Sequence, residues 1–75
     1  MNLRLIQARK DKGLTQEQVA AKTGIDRSTY AHYERGRMPG LETALKISQA
    51  LDKSVEEIFM PINVLKQHIT PTGTG

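Results

Sequence analysis

The chain has no cysteine among its 75 residues. No disulfide can staple it, and no thiolate is available to hold zinc or attack a substrate. Its two histidines, His32 and His68, stand thirty-six positions apart, which is no metal-ligand spacing. Long apolar runs are missing too. The longest charge-free stretch in the body of the chain is Ile58 to Leu65, and Pro61 interrupts it. Nothing here can span a bilayer, and the opening Met1-Asn2-Leu3-Arg4 lacks the apolar run of a signal peptide. A cytoplasmic protein is therefore expected. There is no glycine-rich phosphate loop following a strand, and no nucleophile with a base at sensible spacing. Glu56 and Glu57 are adjacent on a helix's first turn and face different directions, so they suit the positive helix end better than paired acid–base work. Ser28 and His32 (i, i+4) have no evident third group or oxyanion donor. No enzyme is expected, and no cofactor, metal or small-molecule ligand.

What is present is a small amount of everything a compact helical domain needs. At 8.4 kDa there is room for one domain, which buries only about 60% of the surface its unfolded chain exposes. Hydrophobic residues are 37% and charged residues 25%, a globular balance. Eleven basic against eight acidic side chains give a net charge of +3, which suits an anionic partner without proving one.

Glycines and capping residues divide the chain into five short helices. The first covers about Asn2 to Lys12, carries Leu5, Ala8 and Arg9 at helical spacing, and stops at Gly13. The second begins with a Thr15-x-x-Gln18 capping box and stops at Gly24. The third is capped by Asp26 and runs from Arg27 to Arg35, before Gly36. The fourth starts near Leu41 and puts Leu41, Ala44, Leu45, Ser48 and Leu51 on one face. The fifth opens on the Ser54-Val55-Glu56-Glu57 box and turns Val55, Ile58 and Phe59 inward. Residues 1–59 thus read as a compact all-α domain and residues 60–75 as a C-terminal tail. Ile62, Leu65 and Ile69 would fit a helical stripe, but the Ile, Val and Thr content and the flanking Pro61 and Pro71 favour an extended arm over 62–69 and a mobile end.

Thr15 to Arg37, TQEQVAAKTGIDRSTYAHYERGR, is the informative block. Small Ala20 allows close approach of the next helix, Gly24 permits a sharp turn, and Ile25, Tyr30 and Tyr33 supply an inner face. Arg27, Ser28 and His32 fall on one stripe opposite the tyrosines. A helix held this way can enter a DNA major groove.

Taken with LETALKISQAL and SVEEIF, this block resembles the Cro/repressor-type (XRE-like) helix-turn-helix regulators of phage and bacteria, over about Leu3 to Phe59. The resemblance implies a five-helix repressor-like domain, with 16–23 as the positioning helix and 27–35 as the recognition helix. It implies base reading by Arg27, Ser28 and His32, and a structural salt bridge between Arg9 and Glu34. It also implies that Gln16 touches backbone phosphate and braces the recognition helix. Thr15, Thr29, Tyr33, Arg35 and Arg37 are assigned to the DNA backbone. For Arg27, a phosphate contact alone is the competing reading, and for Thr15 and Gln16 it is simple capping. Lys10, Lys12 and Lys22 read better as a solvated face. The chain departs from the family's usual pattern at Tyr30, Asp26 and Ala8, and in a short Met38-Pro39-Gly40 loop.

The function these readings imply is a DNA-binding regulator, most readily a repressor, acting as a homodimer on a pseudo-palindromic double-stranded site. The apolar residues Ile58, Met60, Ile62, Val64, Leu65 and Ile69 are the candidate dimer surface, with a tail folded over its own core as the alternative. An antitoxin or restriction-system controller would share every motif. A protein-interaction adaptor that does not read DNA is the rival of a different class, and Arg27, Arg35 and Arg37 speak against it.

Overall fold

The described residues form five helices, and all but the fourth begin where a side chain satisfies the backbone amides that a helix start leaves unpaired. In the computed structural model, which describes residues 1–61, these are α1 Leu3–Asp11, α2 Gln16–Thr23, α3 Arg27–Glu34, α4 Leu41–Ala50 and α5 Val55–Phe59. Asn2, Thr15, Asp26 and Ser54 each accept an amide of the following first turn. Thr15 and Ser54 complete reciprocal capping boxes with Gln18 and Glu57. α4 starts on Gly40 without a side-chain cap. Among the described residues there is no strand. The tail expectation, an arm over 62–69 followed by a mobile end, lies outside the described residues.

The helices close around one core. α2 packs on α3 and α4, α1 on α5 and α3, and α4 on α5. Leu5, Val19, Tyr30, Ile47, Leu51 and Ile58 are fully buried, with Ala8, Ala20, Ala44 and Phe59 between them. Each large side chain so buried contributes about 1.5–3 kcal/mol of transfer free energy. The N-terminus is stitched in by polar groups. The Asn2 amide N–H donates to Glu34 O (2.8 Å) and its side chain to Ile58 O (3.1 Å), while Arg4 donates to the carbonyls of Glu56 and Met60.

Two expectations are corrected by this packing. On α4, Leu41 and Leu45 point outward, at 69% and 44% exposure, and Ile47 takes the inner position beside Ala44, Ser48 and Leu51. The pair 41-45 and the stripe 44-47-48-51 both satisfy helical spacing, and contact with α2 and α5 selects the second. Ile58, assigned to a dimer surface, is 1% exposed and spent on the domain's own core. It faces α1 and α4 rather than a partner because α5 packs between them.

Candidate nucleic-acid interface

α2 ends where Gly24 adopts φ +72°, a left-handed geometry that costs glycine little. The Ile25 amide then returns to Ala20 O at 2.9 Å, and Ile25 packs against the core. This sharp reversal lets α3 leave at once, with Ala20 buried at the crossing. Asp26 caps α3 and its Oδ2 accepts both the Ser28 amide (3.1 Å) and the Ser28 hydroxyl (2.5 Å). Those hydrogen bonds hold the Asp26 carboxyl below the usual carboxylate range.

α3 divides into two faces. Tyr30 and Glu34 are buried, and Thr29, Ala31 and Tyr33 are half-buried. Arg27, Ser28 and His32 are exposed together along the outer face, and Arg35 and Arg37 are exposed just beyond the helix end. Arg35 Nη1 approaches His32 Nδ1 at 3.5 Å. The Arg37 amide donates to His32 O at 3.0 Å, which keeps this cation close to the negative helix end. Ser28 thus presents an oxygen already tied to Asp26, and His32 a ring approached by Arg35, while Arg27 is exposed beside them.

A buried hub fixes the orientation of that stripe. Glu34 Oε2 accepts from Arg9 Nε (2.7 Å) and from the Tyr30 hydroxyl (2.7 Å), and Oε1 accepts from Gln16 Nε2 (2.9 Å). Arg9 also donates to Leu14 O at 2.8 Å. One carboxylate therefore joins α1, the start of α2 and the inner face of α3. Burial pushes the Glu34 carboxyl up, but hydrogen bonds from Arg9, Gln16 and Tyr30 outweigh it and hold the group below its ordinary value. Burial and the neighbouring Glu34 push the Tyr30 phenol well above its ordinary value, so it remains a donor. Arg9, hydrogen-bonded to Glu34, is raised.

Gln16 uses one of its two side-chain N–H groups on Glu34, leaving the other available. Thr15 is occupied as a cap. Lys12 pairs with Asp52 at 2.5 Å, while Lys10 and Lys22 are exposed. Met60 is half-buried, and Ile62, Val64, Leu65 and Ile69 lie outside the described residues. The side-chain ties made by Asn2 and Arg4 escaped the sequence reading because their acceptors are carbonyls more than fifty residues away, which leave no pattern in the chain. Among the described residues no His, Asp and Glu grouping could hold a metal ion, and no helix is long and apolar enough to cross a membrane.

The chain belongs to the helix-turn-helix family, whose model matches residues 5–58. That family is one of DNA-binding transcriptional regulators. Over 61 residues the chain is 34% identical to an uncharacterised helix-turn-helix transcriptional regulator of Archaeoglobus fulgidus, covering 80% of this chain and 87% of that one. It is 39% identical over 56 residues to the cryptic phage CTXphi transcriptional repressor RstR of Vibrio cholerae, covering 73% of this chain and 50% of the repressor. Among solved structures it is similar to the restriction-modification controller protein C.AhdI from Aeromonas hydrophila. The TM-score is 0.71 at 42% identity, over 77% of this chain and 89% of the controller.

Proposed function

We propose that this chain is a sequence-specific transcriptional repressor that binds a pseudo-palindromic operator as a homodimer, with α3 in the major groove. The observation that carries the reading is the exposed Arg27-Ser28-His32 stripe on a helix whose opposite face is locked by Tyr30 and Glu34. Arg27 donates two hydrogen bonds to a guanine edge, and His32 and Ser28 each offer one contact. Tyr33, Arg35, Arg37, Thr29, Thr15 and the remaining Gln16 N–H engage phosphates, setting register without reading sequence. A single short helix touches too few bases to discriminate, so two copies are required, with half-sites about 34 Å apart or a multiple of it. Residues 1–59 form the reading unit. No catalytic step is assigned to any residue.

Likeness to a phage repressor and to a restriction-modification controller supports a regulatory role. The 42% identity to the controller favours a second reading, control of a restriction–modification system through the same DNA contacts. Selection from a randomised duplex pool tests the proposal. Enrichment of a two-fold symmetric motif at helical-turn spacing is expected, and retention without enrichment contradicts it.

A further inference from the structure

Among the described residues, three of the large apolar side chains left exposed lie on α4 and the loop leading into it: Met38, Leu41 and Leu45, at 62%, 69% and 44%. Leu41 and Leu45 are one turn apart on α4, and Met38 lies in the loop just before it. Glu42 and Lys46 form a second ridge one residue on, also one turn apart, flanking the leucines. Neither forms an ion pair among the described residues. We infer that this outer face of α4 is the surface on which a second copy of the chain docks, an inference that rests on the dimeric reading of the operator.

The face is self-complementary, which suits it to a second copy. When two α4 helices pack antiparallel about a two-fold axis near residues 43–44, Leu41 meets the second copy's Leu45, and Glu42 meets its Lys46. Each contact is made twice, which is the condition an isologous interface must meet. Flanking residues on the same side of an antiparallel pair face each other, so the acid–base ridge closes over one edge of the leucine seam. α4 also follows α3 directly through 35–40, so the same axis that joins two α4 helices relates two recognition helices. Three apolar side chains per copy fall short of the roughly 800 Å² per partner of a standard interface. The dimer is therefore weak, and two half-sites on one duplex tighten it through effective concentration.

Sedimentation of the full chain without DNA, up to ~1 mM, tests this with two variants, Glu42→Lys and Lys46→Glu. The native chain is expected to show a reversible monomer–dimer equilibrium. Each variant opposes like charges twice and weakens it about tenfold or more. An equimolar mixture of the two variants restores it, because one chain then carries two lysines against two glutamates on the other. Repulsion within one helix cannot produce that recovery. Native-like dimers of either variant, a mixture that fails to recover, or a native chain monomeric to ~1 mM would each overturn the inference. The last outcome leaves the face to residues 62–75 or to a different protein. DNA selection on the native chain separates the two claims. A symmetric motif without the α4 dimer sinks this surface alone, and an α4 dimer without any motif sinks the operator reading alone.

Discussion

Glu34 is a charge held 4% exposed, and its survival there depends on three donors from three different segments. Removing one donor leaves the carboxylate buried and undercompensated. Arg9→Ala is expected to cost about 3 kcal/mol in chemical denaturation, because it strips both the ion pair and the Leu14 tie. Tyr30→Phe keeps the ring and loses only the hydroxyl bond to Glu34, so about 1.5–2 kcal/mol is expected in the same assay. If Arg9→Ala left stability unchanged, the hub would not be what holds α3 in place. Ser48 shows the opposite case. Its hydroxyl is buried and has no hydrogen-bond partner among the described residues, inside a helix where alanine has the higher propensity. Ser48→Ala is expected to stabilise by about 1 kcal/mol, a rise in melting temperature of roughly 4–8 °C. A fall on calorimetry would mean that the hydroxyl is satisfied after all.

At the scale of elements, the helix boundaries follow from chemistry that one segment carries by itself. Thr15-x-x-Gln18, Ser54-x-x-Glu57 and Asp26 cap as their spacing predicts, and Gly24 stops α2 in a left-handed conformation. A Cβ at Gly24 would meet nothing within 4 Å, so Gly24→Ala is penalised by backbone conformation alone, about 1 kcal/mol. Thermal melts check this, and an unchanged transition would contradict the role given to the turn. Which face of α4 is inner was not legible, because two overlapping stripes fit the same period and only α2 and α5 distinguish them. The convergence of Gln16 and Tyr30 on Glu34 was also hidden. A carboxylate's neighbours across helices leave no local spacing. The Arg9–Glu34 pair was foreseen from family resemblance rather than from the residues themselves.

For the whole molecule, the perturbed carboxyls set the response to acid. Glu34, Asp26, Asp52 and Glu57 all lie below their ordinary values in the folded state. A depressed carboxyl adds stability above its unfolded pKa and forfeits it as pH falls through the folded one. The domain is therefore expected to hold its stability above about pH 4.5, the ordinary Glu value, and to lose it progressively below. Tyr30 has the opposite sign. Its raised phenol adds stability below its unfolded value of 10.0 and forfeits it at higher pH. Denaturation midpoints across pH check both limbs, and greater stability at pH 3 than at pH 6 would refute the carboxyl account.

The same molecule presents Arg27, Arg35 and Arg37 exposed and outside the ion pairs of the described residues, and the reading stands or falls on Arg27 reading a base. Parallel selection of DNA sites by the native chain and by Arg27→Ala measures this most directly. The variant is expected to lose preference at one position in each half-site, with affinity for the native site reduced by about 1–3 kcal/mol. An unchanged motif bound uniformly more weakly would reduce Arg27 to a phosphate contact and contradict the assignment.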